Sequence, residues 1–339
     1  MKKITLLLLT IFYTTLSGLC AADYSQHPQS EAFVNRMVET HNFQRQQILD
    51  WLSRAEHQES IVRAMSRPAE KVKPWHAYRK LFVSPLRIDR GVQFWHENQS
   101  TLERAAADFG VDPAIIVSII GVETNYGRNT GSYRVIDALS TLAFDYYVDI
   151  DQRESRRKFF TTQLEHFFLL AREQQQDPLT LKGSYAGAMG WGQFMPNSYR
   201  NYAVDYDDDG MADIWTNPTD AIGSVANYFV KHGWKKGLPV ATRASIADKP
   251  DPQELNKMRR PKLSIGDLTD QGYKPAENYA SDLKAFPIVL TGKYGEEYWL
   301  GLHNFYVIGR YNPRVKYAMA VYQLSISIRE RFCESSDSC

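Results

Sequence analysis

The chain has little cysteine: three in 339 residues, at positions 20, 333 and 339. So few cannot form the disulfide framework of a small secreted scaffold, so the fold must rest on a hydrophobic core. Net charge is also scarce, with 40 Lys and Arg against 39 Asp and Glu. That balance excludes the broad basic surface of a nucleic-acid binder. Long apolar runs are missing, and the stretch Leu6 to Phe12 is too short to span a bilayer as a helix. No histidine pair has zinc-ligand spacing. A phosphate-binding loop, a dinucleotide glycine fingerprint and a Gly-x-Ser-x-Gly elbow are absent too. There are no internal repeats, heptads or low-complexity tracts.

What is present is an ordinary globular composition, 43% hydrophobic and 23% charged, in a chain long enough for two or three subdomains. Aromatics reach 13%, with 20 Tyr and 7 Trp, which suits either a thick core or a sugar-binding groove. The first 22 residues read as a secretory signal peptide. Lys2-Lys3 gives a positive start, Leu6 to Phe12 the apolar run, and Cys20-Ala21-Ala22 a small-residue cleavage site. A lipoprotein reading would make Cys20 the lipidated residue, but Leu19 stands where a small residue is wanted. Cleavage after Ala22 leaves 38 basic and 39 acidic residues. It also leaves Cys333 and Cys339, which either close a small loop in an oxidising compartment or stay as free thiols on the tail.

Three-and-four apolar spacing predicts helices over Ala32 to Ala55 and Gln93 to Phe109, within an N-terminal helical unit of residues 23–110. Residues 66–90, richer in Pro and aromatics, read as a connecting or edge segment. A unit of residues 111–234 alternates helices with Gly-rich loops. Its predicted helices run over Ala138 to Tyr147, over Arg157 to Gln174, and from an Asn217 cap through Ile222, Val225, Ala226 and Phe229 to Gly233. His232 reads as a cation near that helix C-terminus. Residues 235–309 carry short runs such as Lys262 to Ile265 and Phe286 to Leu290 among Pro and Gly, a small β subdomain. Residues 310–339 return to helix, over Lys316 to Arg329, and end in a tail.

One carboxylate is singled out by its setting. Glu123 closes an apolar helix that starts at an Asp112 cap with Pro113 in its first turn, and Gly127 follows shortly after. Ile116, Ile119 and Ile120 share its face. A carboxylate on such a face loses hydration, so its pKa rises and it can serve as a general acid near neutral pH. The plainer alternative is a buried Glu paired with Arg128 or Arg134.

Two loops add chemistry. Gly183 to Pro196 carries glycines at 183, 187, 190 and 192 that allow close backbone approach. Tyr185 and Trp191 offer flat faces for sugar rings there, and Ser184 and Gln193 offer hydrogen bonds. Close helix packing on small residues would explain the glycines equally. The loop Asp205 to Asp213 places acids at positions 1, 3, 5 and 9 and Gly210 at position 6, as an EF-hand does. Met211, at position 7, would contribute its carbonyl. Thr216 replaces the usual Glu at position 12, and Asp220 could supply that carboxylate from a longer loop.

Taken together, Gly121-Val122-Glu123-Thr124-Asn125-Tyr126-Gly127, Gly187-Ala188-Met189-Gly190-Trp191-Gly192-Gln193-Phe194-Met195-Pro196, the Asp205 loop, Asp220 to Tyr228, Asn304 to Ile308 and Arg310-Tyr311-Asn312 resemble the lytic murein transglycosylase B family of bacterial cell-wall enzymes. The resemblance covers roughly residues 30–330. It implies a mainly α (α+β) protein with a lysozyme-like core, a helical domain, an EF-hand-like loop and a small β subdomain. It implies cleavage of the β-1,4 bond between N-acetylmuramic acid and N-acetylglucosamine, with release of the 1,6-anhydro muramic form. Carried over by position, Glu123 is the single catalytic acid/base. Ser184, Gln193, Tyr228, Tyr311, Asn312 and Tyr317 line the glycan groove. Asp205, Asp207, Asp209, Met211 and Asp220 hold a structural Ca2+. The partners implied are peptidoglycan strands, with cell-wall synthases left open, and the weak lipidation signal fits periplasmic relatives. Two rivals remain: a hydrolytic lysozyme in which Asp137 or Asp145 positions water, and a non-catalytic, calcium-dependent peptidoglycan-binding module.

Overall fold

The computed structural model describes residues 23–66, 73–146, 153–247 and 254–335. The expected signal segment 1–22 and the cysteines at 20 and 339 lie outside them. Cys333 is in a disulfide.

After a short 3-10 turn (Tyr24–Gln26) come helices α1 (Ser30–His41), α2 (Arg45–Ser53), α3 (Glu59–Ser66), α4 (Trp75–Phe82), α5 (Pro85–Glu97) and α6 (Gln99–Phe109). The catalytic candidate sits on α7 (Pro113–Thr124), and α8 (Val135–Phe144), α9 (Arg153–Glu173), α10 (Pro196–Tyr202) and α11 (Pro218–Lys231) follow. Two two-residue strands, β1 (Tyr133–Arg134) and β2 (Lys182–Gly183), pair across the start of α8. Beyond α11 come β3 (Ala241–Ile246), β4 (Leu263–Ser264), α12 (Ile265–Asp270), β5 (Tyr273–Pro275), β6 (Lys284–Thr291) and β7 (Glu296–Gly301). The chain closes with α13 (His303–Tyr311) and α14 (Val315–Ser335). The larger sheet has the order β4-β6-β7-β3-β5 and is antiparallel throughout.

Local chemistry accounts for most boundaries. Asp112 caps α7 through Ala114 N–H, and Asn217 caps α11 through Thr219 N–H, both as expected. The helix expected over residues 32–55 is broken at Asn42, which takes a left-handed φ of 56°. The stretch 66–90, expected as a connection, carries α4 and the start of α5. Ser84 caps α5 by accepting Arg87 N–H, with Pro85 in the first turn. The run 262–265, expected as a strand, has two strand residues before α12. Ser264 and Asp267 form a reciprocal capping box there, so the β pattern stops at once.

Two apolar cores run through the helical part, and neither follows a boundary at residue 110. Tyr24, Phe33, Ile48 and Leu52 pack with Leu139, Phe160, Phe167 and Phe168. Trp75, Tyr78, Phe94 and Leu102 pack with α7, α11, α14 and the inner face of β6 and β7. The expected N-terminal unit 23–110 is thus divided between the cores, because burial follows helix contacts rather than chain order. Helix α7 lies at the centre: Ala114 to Val122 and Thr124 are all buried. Among the described residues, no single helix is long and apolar enough to cross a membrane.

Gly121, on α7, meets the ring of Tyr126, whose hydroxyl donates to Arg87 O at 2.9 Å. A Cβ on Gly121 would come within 2.5 Å of that hydroxyl. Alanine gains about 1 kcal/mol in helix propensity, but overpacking a core costs about 1–3 kcal/mol or more. Gly121→Ala is therefore expected to lower stability by about 1–2 kcal/mol, read as a lower urea midpoint with an unchanged slope.

Candidate active site

Glu123 is the penultimate residue of α7. It is the one position after the first turn of this buried helix that keeps partial exposure. The chain then turns away through Asn125 and Tyr126, both with left-handed φ, and Gly127 at φ 76°. A side chain at 127 would collide with the Trp191 ring, 2.6 Å from a built Cβ. So the helix must end where it does, and its last carboxylate is left partly exposed at the helix end.

The expected ion pair is not what holds it. Arg134 binds Asp137 at 2.8 Å and Glu56 at 3.3 Å, and Arg128 is exposed. Glu123 makes no ion pair among the described residues. Instead the Tyr317 hydroxyl, from the first turn of α14, donates to Glu123 Oε1 at 2.5 Å. Burial pushes the Glu123 carboxyl up to about 7, against the smaller opposing effect of the Tyr317 hydrogen bond. Burial and then the field of Glu123 hold Tyr311 and Tyr317 well above the ordinary phenol range, so both remain neutral donors.

Of the five other expected site residues, Tyr311 feels the charge of Glu123 directly. Tyr311 donates its hydroxyl to Gly192 O at 2.6 Å, tying the end of α13 to the Gly-rich loop. The Tyr228 ring packs tilted against that of Tyr311, ring centroids 4.6 Å apart, and its hydroxyl donates to Arg310 O at 2.6 Å. The hydroxyl protons of both tyrosines are thus already committed. Gln193, at φ 50°, donates Nε2 to Thr130 O and Gly190 O, which leaves Oε1 to accept. Asn312 is the C-cap of α13 in extended backbone. Ser184 Oγ accepts Ala188 N–H at 3.1 Å and keeps its own proton to donate. The loop is held to α7 by Thr124 Oγ1, which donates to Trp191 O at 2.9 Å. Trp191 itself is partly used for packing, with Nε1 donating to Trp215 O and its ring beside Phe94 and Gly127. Tyr185 is the more exposed of the two expected sugar platforms, at 40%.

Sequence reasoning missed Tyr78. It lies on α4, in the stretch read as a connection. It is buried, its hydroxyl has no hydrogen-bond partner among the described residues, and burial followed by the field of Glu123 pushes it up to about 12. The signal that could have found it is the Trp75-x-x-Tyr78 spacing of one helical face.

The rival carboxylates are engaged elsewhere. Asp137 is buried and binds Arg134 and Glu56 N–H. Asp145 accepts the Tyr24 hydroxyl at 2.7 Å and lies 2.9 Å from His57 Nδ1. Neither contributes to the shift of Glu123.

The acidic loop lies at the far end of α11 from Tyr228. Asp205, Asp207 and Asp209 each present a carboxylate oxygen within 4.8 Å of the others. Asp208 and Gly210 turn the loop with φ of 59° and 100°. Three hard oxygens on a sharp turn fit a divalent cation of the calcium type. Asp220 is placed differently from the sequence expectation. It is fully buried, and its two oxygens accept Tyr206 N–H and Asp213 N–H at 2.7 Å each, so it ties the two arms of the loop. The Met211 carbonyl likewise accepts Asp213 N–H at 3.0 Å.

A family profile described as a Transglycosylase SLT domain matches residues 25–326. The membrane-bound lytic murein transglycosylase B of Escherichia coli (strain K12) is 44% identical over 315 residues, 90% of this chain and 84% of that protein. The chain belongs to the lytic murein transglycosylase B family. It is a peptidoglycan lytic transglycosylase, a peptidoglycan-cleaving lyase. Solved structures agree with that fold. Catenated SltB1 of Pseudomonas aeruginosa matches with a TM-score of 0.85 at 50% identity, over 91% of this chain and all of that one. Escherichia coli Slt35 in complex with calcium matches at 0.83 and 43%, over 92% and 96%. Pseudomonas aeruginosa SltB3 in complex with NAG-anhNAM-pentapeptide matches at 0.76 and 29%, over 88% and 78%. In this lytic transglycosylase the lysozyme-like helical core is therefore the part that carries Glu123.

A raised carboxyl has a cost in stability. Below its ordinary value of 4.5 both folded and unfolded chains hold the proton, and above about 7 the folded chain must carry a charge it disfavours. The wild type should therefore lose stability relative to Glu123→Gln as pH rises from 4.5 to 7, by up to about 3 kcal/mol. Denaturant melts of both proteins across that range check this.

Proposed function

We propose that Glu123 is the single acid/base of the reaction and that the product is a 1,6-anhydro muramic end. One observation carries the reading: a carboxyl with a raised pKa is held by a neutral tyrosine, with no second carboxylate beside it among the described residues. Glycosidases that hydrolyse need two carboxylates, one as acid and one to activate water or attack. A single group suffices if the sugar supplies its own nucleophile.

Tyr317 occupies Oε1 of Glu123, so Oε2 faces the substrate with the proton. That proton passes to the oxygen of the β-1,4 bond between the muramic residue and the following glucosamine, and the C1–O bond breaks. The N-acetyl carbonyl of the muramic residue supports the positive C1. Glu123, now a carboxylate, takes the proton of the C6 hydroxyl as its oxygen closes onto C1, which regenerates the acid. The Ser184 hydroxyl and the free Gln193 Oε1 orient the strand. Tyr228 and Tyr311 wall the groove, and Asn312 borders it. Keeping water away at C1 is what separates this outcome from hydrolysis.

The hydrolytic alternative needs Asp137 or Asp145, and both are committed to partners of their own. A non-catalytic binding module would have no use for an acid poised near neutrality. The carboxylates of Asp205, Asp207 and Asp209 suit Ca2+ as a structural ion, and the calcium complex of Slt35 supports that choice. Its place beneath α11 would steady Tyr228. The charge and cleavage pattern of residues 1–22 supports export to the periplasm, where peptidoglycan is the available partner.

Glu123→Gln is expected to fold and to release no anhydro-ended fragments from purified sacculi. Mass spectrometry decides, since anhydro ends lie one water below reducing ends. Reducing ends from the wild type would replace this mechanism with hydrolysis. Calcium is tested separately. Chelator should lower the Tm of the wild type and leave a triple Asp205, Asp207, Asp209→Asn variant unmoved.

A further inference from the structure

His232 directly follows the last residue of α11 and stands four positions after Tyr228. Residues at that spacing share a helical face. The sequence suggested a cation at the helix C-terminus. Instead, burial pushes the imidazole below its ordinary range, against the opposing hydrogen bond to Tyr228 O. The ring is therefore neutral at neutral pH and is used in another way. We propose that His232 is a positioning residue of the glycan groove: it holds the Tyr228 ring in place, and through that ring sets how tightly the strand binds. The proposal rests on the groove-wall role given to Tyr228 above and extends it to a residue that acts through Tyr228.

The rings of His232 and Tyr228 are stacked, with centroids 4.0 Å apart and planes 21° apart. His232 Nδ1 lies 2.7 Å from Tyr228 O. A carbonyl only accepts, so Nδ1 carries the proton. The imidazole is thus tied to the backbone of the same residue whose ring it covers, and its plane is not free to turn. Tyr202 packs T-shaped against Tyr228 at 5.0 Å and tilted against His232 at 4.9 Å. Tyr202 is itself tied to α11, because its carbonyl accepts Asn227 Nδ2 at 2.9 Å. The Tyr228 ring is therefore fixed by a stack, by tilted neighbours and by its hydroxyl on Arg310 O.

Of these supports, the stack can be removed without disturbing the acid. Tyr311 feels the charge of Glu123 and is tied to Gly192 O, so a change there would reach the reacting carboxyl. Neither the raised pKa of Glu123 nor its hydrogen bond involves His232. Histidine combines two parts of the support, a flat ring and a donor that reaches the backbone. Phenylalanine keeps the ring and loses the donor, and asparagine keeps a donor and loses the ring. An aromatic pair of this kind is worth about two- to tenfold in an equilibrium.

The test measures kcat and KM of His232→Ala, His232→Phe and His232→Asn on soluble glycan strands. His232→Ala should raise KM about fivefold and leave kcat within about twofold of the wild type. His232→Phe should recover most of that loss, and His232→Asn little of it. Tyr228→Leu should itself raise KM, and adding His232→Ala to it should change nothing further, because the ring it supports is gone. A lower kcat at unchanged KM in His232→Ala would overturn the proposal, since that pattern marks a smaller folded fraction and a merely structural role. Rescue by asparagine equal to or better than that by phenylalanine would also overturn it, and would make the hydrogen bond at the helix end the function. So would a full further rise in KM when His232→Ala is added to Tyr228→Leu. Failure of the underlying wall reading looks different: Tyr228→Leu alone would leave KM unchanged, whatever the His232 variants do.

Discussion

The hydrogen bond from Tyr317 to Glu123 joins the two parts of the chain on which the site depends. Helix α7 is buried on all sides, so a carboxylate at its end must either find a cation or stay largely protonated. Among the described residues no cation pairs with Glu123. A neutral hydroxyl from α14, 194 residues away in sequence, takes one oxygen and leaves the other open. That solution satisfies the buried polar group without fixing its charge, as an acid that later acts as a base requires. Tyr311 and Tyr78 extend the same environment, since their neutral rings remove water without adding a counter-charge.

The supporting structure can be understood as a means of holding that pair. The Gly-rich loop is bound on one side to α7 by Thr124 and on the other to α13 by Tyr311. Gly127 and Gly192 are small because Trp191 and the Tyr311 hydroxyl occupy the space their side chains would need. Helix α11 carries Tyr228 at one end and the braced acidic loop at the other. The antiparallel sheet contributes β6 and β7, which pack on the same core as α7 and α14.

Features set by short-range chemistry were legible in the sequence. The Asp112 cap, the Pro113 start, the Asn217 cap and the apolar face of Glu123 all depend on residues a few positions apart. The acidic loop was legible for the same reason, because its spacing is local. Errors arose where one local signal hid another. The aromatic and proline content of residues 66–90 masked the Ser84 cap and two helices. Alternation at Lys262 to Ile265 masked a capping box. Asp220 was read as a ligand from its spacing, and its two oxygens accept backbone N–H groups from both arms of the loop.

What the sequence by itself determined was the set of candidate groups: one glutamate on an apolar helix, a loop of glycines and aromatics, and a cluster of oxygen donors. Each is encoded within a single helix or loop, where periodicity and capping act over a few residues. Tertiary structure decided which of those groups meet. It chose Tyr317 over Arg128 or Arg134 as the partner of Glu123, withdrew Asp137 and Asp145 to ion pairs and hydrogen bonds of their own, and brought Tyr78 to the site from a segment that had read as a connection. The reason is that a buried carboxyl's protonation depends on everything packed around it in three dimensions, and those neighbours come from helices far apart along the chain.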